Sequence, residues 1–363
     1  QIQLTRGRQA RVLDAFALKG HVDGPEELML QIAEKVLLRL ATQERLPLLE
    51  KNAVLFGRRP YKRQKALRLL GQGLADWQGI KSPDAHNHWA AAVAIEKDFH
   101  LARLWLARSF LARNQMKEAL GQYTEALQRL ANDSEQDRFE AQLYAHQSDV
   151  YRAIQDYDRA LTGLQRARDL LQKLGLATSD QAAEVANSTG EILLAQGQLE
   201  AALPEFYRAK VIKDELNLSV TYNYARVLNN IATTLFAQGK FNNALAFYLN
   251  ELTIKDAMEL QNTIAYADTL TNLGVVYMNL KQFRQAQDRY AQSMELRKKL
   301  GDSSSRGYAD TLFNVGYYKI LSGDFCGAMS WLDAGVSKTF AINPAIAYER
   351  VAVYNLARDG CRS

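Results

Sequence analysis

Asp84, His86 and His88 are the densest group of metal-type ligands in the chain. On a helix the two histidines point about 200° apart. Only Asp84 and His88 then share a face, too few for a chelate, and no metal is expected. His21, His100 and His146 are scattered. No phosphate-cradling glycine loop, serine elbow or His-Glu-x-x-His helix occurs, so the expectation is no enzyme, no catalytic residue and no cofactor. A second kind of chemistry lies in amides. Asn229, Asn230, Asn272, Asn279 and Asn314 border Phe236, Phe313 and Tyr317. An asparagine carries a donor and an acceptor side by side and can clamp an extended peptide backbone. The same amides can equally serve helix packing or satisfy a loop carbonyl. Cys326 and Cys361 are the two cysteines. They permit one bridge without requiring it, and two unpaired thiols are the expectation.

The elements that must position these residues are written in a periodic signal. Ala85, Ala119, Ala160, Ala202, Ala244, Ala286 and Ala328 recur at intervals of 34, 41, 42, 42, 42 and 42 residues. From Ala119 onward an aromatic or long apolar residue stands three before each alanine, and a bulky residue stands four after all seven. The sharpest copy reads Asn272-Leu273-Gly274, then Tyr277, Phe283, Ala286 and Tyr290. Small residues such as Gly274 and Ala286 allow two antiparallel helices to approach, while Tyr277, Phe283 and Tyr290 fill the layer between pairs. Gly197, Gly239 and Gly323 stand at the turns between helices, where a positive φ is free for glycine. Gln155 and Lys281 replace that glycine in two copies.

Over about residues 70 to 340 this pattern resembles the tetratricopeptide repeat (TPR) family. The longer period and the Leu-x-Asn-Leu-Gly core resemble the kinesin-light-chain-type and Gly-Leu-Gly-Asn-repeat adaptors. The resemblance implies an all-α solenoid of seven helix pairs with a peptide-binding groove, closed by a capping helix at Ala345 to Arg358. Seven or eight extra residues per later repeat would lengthen helices or loops such as Leu174 to Asp180 and Leu300 to Arg306.

In such a solenoid the first helix of each pair lines the groove, and its positions two, five, nine and twelve share one stripe. Successive copies give Gln142, Ala145, Asp149 and Arg152; Glu184, Asn187, Glu191 and Leu194; Arg226, Asn229, Thr233 and Phe236; Asp268, Thr271, Val275 and Met278; and Asp310, Phe313, Tyr317 and Ile320. The expected peptide-binding residues are Asp149, Glu191, Arg226, Asn229, Asn230, Asp268, Asn272, Asn279, Asp310, Asn314 and Tyr317. Amides, acids and aromatics together suit a peptide with apolar anchors and Lys or Arg. A two-carboxylate clamp would need several inward lysines and arginines.

Ahead of the repeats, residues 1–65 read as a separate segment, the end of a truncated domain; 66–340 are the superhelix and 341–363 the cap and tail. Gln1 to Thr5 and Ala10 to Leu18 are extended runs about Arg6-Gly7-Arg8-Gln9, a hairpin. Asp23-Gly24-Pro25-Glu26-Glu27 opens a helix through Leu28, Ile32, Val36 and Leu40. Hairpin and helix together resemble the end of a TolB-like segment in bacterial winged-helix (CadC-type) regulators and adenylate cyclases. That resemblance implies the interaction or sensory part of a larger bacterial signalling protein, cytoplasmic or periplasmic.

Residues 1–80 hold 14 Lys and Arg against 8 Asp and Glu, whereas the remainder holds 31 against 32. The densest basic run, Arg58 to Lys65, reads as a solvated helix start or linker; it lacks aromatic platforms, and no nucleic-acid partner is expected. No apolar run approaches the ~20 residues of a membrane span. The first residue is Gln1, and no signal peptide is visible, so the chain reads as a processed product or a fragment. The leading expectation is a non-enzymatic module binding a protein or peptide. The alternatives are a ligand-responsive regulatory domain of a transcription regulator or cyclase and a scaffold that self-associates through open solenoid ends.

Overall fold

Each repeat closes on one steric rule: a small residue in a first helix faces a bulky residue sixteen positions later in the second. A Cβ added to Gly73 would lie 2.4 Å from Trp89, at Gly190 2.6 Å from Phe206, at Gly274 2.5 Å from Tyr290 and at Gly316 2.5 Å from Leu332. The computed structural model describes residues 2–6, 11–16, 60–77, 83–130 and 137–362. Strands β1 (Ile2–Arg6) and β2 (Arg11–Phe16) pair antiparallel, with Ile2 opposite Phe16. The expected helix through Leu28 to Leu40, His21, and Arg58 and Arg59 of the basic run lie outside the described residues.

The rest of the described chain is helical. The pairs are α1 (Pro60–Asp76) with α2 (Pro83–Ile95), α3 (His100–Ala112) with α4 (Met116–Arg129), α5 (Asp137–Ala153) with α6 (Tyr157–Lys173), and α7 (Asp180–Ala195) with α8 (Leu199–Glu215). They continue as α9 (Tyr222–Ala237) with α10 (Phe241–Ala257), α11 (Ile264–Asn279) with α12 (Phe283–Lys299), and α13 (Arg306–Leu321) with α14 (Phe325–Ile342). The last helix, α15 (Pro344–Arg362), packs on α14 as the expected cap. By internal contact the chain divides into residues 1–218 and 219–363. Within each unit the second helix of a pair also packs on the first helix of the next.

All seven register alanines lie in second helices and are 0% exposed. The bulky residue one turn on is buried each time, from Trp89 through Tyr123, Leu164, Phe206, Tyr248 and Tyr290 to Leu332. The extra residues of the long repeat are spread over helices as well as loops: α3 has 13 residues, whereas α7, α9, α11 and α13 have 16. Each of these longer first helices starts on a hydroxyl cap. Ser179, Thr221, Thr263 and Ser305, 42 residues apart, accept from the backbone N–H of Ala182, Tyr224, Tyr266 and Tyr308, all at 3.2 Å. These caps satisfy N–H groups that the helix itself cannot.

The turns keep their left-handed residue even where glycine is gone. Gln155 and Lys281 adopt φ of 62° and 59° at the places where Gly197 and Gly239 adopt 74°. A side chain there is strained, and tertiary packing overrides the local preference. Lys281→Gly is therefore expected to stabilise the second unit by about 1 kcal/mol, measured as a higher urea midpoint at unchanged slope; an unchanged or lower midpoint would show that the turn carries no strain.

Candidate functional site

The first-helix stripe is the candidate site, and its residues meet different fates. In the first unit Asn187 is fully buried on α7, where its Nδ2 donates to Glu191 Oε1 at 2.8 Å. Arg152 of α5 stands 3.7 Å from the other Glu191 oxygen. Asp149 lies 4.0 Å from His146 Nδ1. Three stripe positions thus converge across two pairs, but as an internal network.

In the second unit Asn229 donates to Glu251 Oε2 at 3.0 Å. Glu251 is 1% exposed, pairs with Lys255 at 2.6 Å and accepts from Thr269 at 2.9 Å. This anchors Asn229 in a buried polar network, the packing role open to such an amide. Asn279 donates to Val275 O of its own helix at 2.8 Å. Thr271 is buried with Ser293 and Thr311, their hydroxyls 2.8 and 3.0 Å away. Arg226, Asn230, Asn272 and Asn314 are half-buried. Asn230, Asn272 and Asn314 share one register position, and the buried networks of Asn187 and Asn229 do not include Asn272 or Asn314. Tyr317 is exposed. Phe236 packs on Phe241 with ring centroids 5.3 Å apart.

The acids of the stripe carry partners that the sequence reading did not assign. Asp268 pairs with Arg297 of α12, a residue 1% exposed that also holds Asp302 at 2.5 Å. Glu184 and Asp180 hold Lys213 of α8 at 2.7 and 2.6 Å. Burial opposes the charge on Lys213, but the two carboxylates outweigh it and raise its pKa above the ordinary value. Lys213, Lys255 and Arg297 stand 42 residues apart, the interval of the alanines. That spacing was the available signal. Lys213 and Arg297, buried in second helices, neutralise first-helix acids that look free when that helix is read alone, whereas Lys255 pairs with Glu251 of its own helix.

The histidines near the start of the repeats turn to separate partners. His86 Nδ1 is 2.8 Å from Ser109 Oγ, and His88 Nδ1 is 2.9 Å from Asp76. Burial, then Arg113, lowers the pKa of His86. Burial likewise lowers that of His100 against the pull of Asp98. Both rings protonate more readily in the unfolded chain than in the fold. Their stability contribution is complete above about pH 6.5 and is lost as pH falls below it. The melting temperature is expected to drop between pH 7.5 and 5.5, and less in a His86→Gln/His100→Gln variant; equal drops in both proteins would assign the effect elsewhere.

The expectation of unpaired cysteines is corrected by the structure. Cys326 in the first turn of α14 and Cys361 in the last turn of α15 form a disulfide, with Cα atoms 4.7 Å apart. The two helices run back along each other, which brings residues 35 apart in sequence together. Among the described residues, no helix is long and apolar enough to cross a membrane.

Stacked helix pairs with a periodic face define an α-solenoid, a class built to present an extended surface to partners. Two family profiles agree. One described as a tetratricopeptide repeat matches residues 70–135 and 147–217, and another of the same description matches 225–250 and 267–302. Together they cover more than half of the chain, which belongs to the tetratricopeptide-repeat family, a family of interaction modules; no catalytic family is indicated. The resemblance of the N-terminal segment to a TolB-like segment finds no such match.

Among solved structures, the signal transduction ATPase with a tetratricopeptide repeat sensor from Pyrococcus horikoshii aligns over 90% of this chain and 49% of its own, with TM-score 0.62 and 13% identity. The chain thus spans about half the length of that structure. A Rap protein complexed with Competence and Sporulation Factor aligns over 93% of this chain and 98% of its own, with TM-score 0.58 and 13% identity. BtubC from P. vanneervenii aligns over 64% and 92%, with TM-score 0.51 and 18% identity. At these identities the likeness is one of fold. A search of curated proteins finds no match.

Proposed function

We propose that this chain is a non-enzymatic interaction module that holds an extended peptide, or a segment of a partner protein, along the first-helix face. The observation that carries the reading is the shared register of Asn272 and Asn314. Both are half-buried at equivalent positions of α11 and α13, about one turn from exposed Asp268 and Tyr317 respectively. Two amides at a fixed repeat can each bond both a C=O and an N–H of an extended chain. Asp149, Glu191, Arg226, Asn230 and Asp310 would shape the flanking polarity. Asn229 and Asn279, tied to Glu251 and to their own helix, contribute less. The ligand expected is a peptide with apolar anchors and a basic residue.

A pull-down from the source organism's lysate, read by mass spectrometry, compares the wild type with Asn272→Ala/Asn314→Ala. The expected result is a partner lost in the variant, with melting almost unchanged. A large loss of stability would make the amides structural, and no partner with either protein would move the reading to a small-molecule sensor. The structural likeness to a sensor-bearing ATPase and to a Rap protein complexed with Competence and Sporulation Factor supports a signalling role for such a module.

A second reading, self-association, is favoured by α15. Tyr348 and Leu356 are 71% and 56% exposed there and lie eight residues apart, on one face of the helix. A mass that rises with concentration, and stays monomeric in Tyr348→Ser/Leu356→Ser, would support it.

A further inference from the structure

We infer that Asp310, Phe313 and Thr339 form an arginine-binding site that Arg350 of α15 fills from within the chain, and that the Cys326–Cys361 disulfide latches it shut. The site shares Asp310 with the proposed peptide-binding face, but its test does not depend on Asn272 or Asn314. The Arg350 guanidinium bonds Asp310 through Nη2, donates from Nη1 to Thr339 Oγ1 at 2.8 Å and lies 4.6 Å from the centroid of the Phe313 ring. A carboxylate, a hydroxyl and an aromatic face around one planar cation are the features that select arginine over lysine.

The register explains why the cation comes from outside the pair. At the second-helix position where earlier pairs carry Lys213, Lys255 and Arg297, the last pair carries Thr339. Asp310 therefore lacks the built-in buried base that Asp268 has. Arg306, one turn before it on the same helix, approaches its other oxygen only to 3.7 Å. The cap completes the site.

The cap is fastened at two places. One is Arg350. The other is its C-terminal end, where Gly360 sits against the Phe325 ring, closely enough that a Cβ would come within 2.5 Å, and Cys361 is bonded to Cys326. Between them Ala357 is buried with Leu332 and Ile320. Both cysteines are exposed, so a dithiol reductant can reach the bond. One thiolate attacks a cysteine sulfur and breaks the S–S bond, giving a mixed disulfide; the second thiol resolves it. Two electrons and two protons pass to Cys326 and Cys361, and the reductant leaves as its disulfide. With the latch open, α15 is held by Arg350 and by its apolar face, where Val353, Tyr354 and buried Ala357 pack with Ile320 and Leu332. The cap can then swing away, and an arginine of a partner segment can take the site.

Hydrogen exchange read by mass spectrometry on the whole chain, oxidised and in dithiothreitol, tests the latch. A Cys326→Ser/Cys361→Ser variant serves as its redox-independent control. Amides of α15 are expected to exchange about 100-fold faster once the bond is gone, while those of α9 to α12 keep their rates. The site itself is tested with a fluorescent peptide of residues 344–362, carrying Ser in place of Cys361. It is added to the Cys326→Ser/Cys361→Ser/Arg350→Ala variant and to oxidised wild type. Binding to the opened variant is expected, at least tenfold tighter than to wild type, and lost when the peptide carries Ala in place of Arg350. The proposal is overturned if α15 keeps its protection on reduction, if residues 219–363 lose protection together, or if the opened variant fails to bind or binds both peptides alike.

Discussion

Glu251→Ala is expected to destabilise residues 219–363 by about 3–5 kcal/mol, because it strands a buried charge. Glu251 is 1% exposed and Lys255 5%. One carboxylate oxygen contacts Lys255 at 2.6 Å and Thr269 at 2.9 Å, and the other takes the Asn229 amide at 3.0 Å. After truncation the ammonium keeps only Ala265 O and Thr269 Oγ1 as partners, each at 2.8 Å, and no counter-charge. Glu251→Leu/Lys255→Met, which removes both charges and keeps the volume, is expected to recover most of the loss. Urea unfolding of the three proteins decides it. A single-variant loss below about 1 kcal/mol would place the pair in solvent, as for an ordinary surface ion pair.

The result bears on the site. If the network is as tight as its distances imply, Asn229 belongs to the fold, and Asn229→Ala should lower stability more than partner binding. Asn272 and Asn314 are the positions where the opposite outcome is expected.

Tyr290→Ala is expected to cost about 3–5 kcal/mol, the range for emptying a buried aromatic site. The ring is 1% exposed and lies directly over Gly274. Ala286, one turn earlier on α12, is 0% exposed in the same interface. Ala286→Leu is expected to cost about 1–3 kcal/mol from the opposite error, overpacking. The two substitutions separate the requirement for bulk from the requirement for closeness. Gly274→Ala with Tyr290→Leu should cost less than the sum of the singles, since the shorter side chain makes room for the new methyl. Thermal or urea unfolding reads these five variants. A neutral Ala286→Leu would mean that the repeat register is misplaced.

The sequence by itself determined the repeat. Small and bulky residues at fixed separation are the two sides of one close helix contact, and that contact involves neighbours within a single hairpin. The rule survived even where local preference opposed it: Gln155 and Lys281 take the left-handed turn because the close contact of their own helix pair holds the register. The cap after Pro344 was legible for the same reason, since helical period follows from order along the chain.

Only the tertiary structure decided which stripe residues are available. Asp268 and Asp310 read as open acids until Arg297 and Arg350 arrive from other helices, and Asn229 reads as a clamp until Glu251 claims it. Cys326 and Cys361 were left open to pairing by the sequence, and the fold of α15 back along α14 decided it. A side chain's partner across a helix interface depends on how the helices cross and in which direction they run. Pattern along one helix fixes the face a residue occupies, whereas its neighbours in space decide whether its charge or amide is left for another molecule.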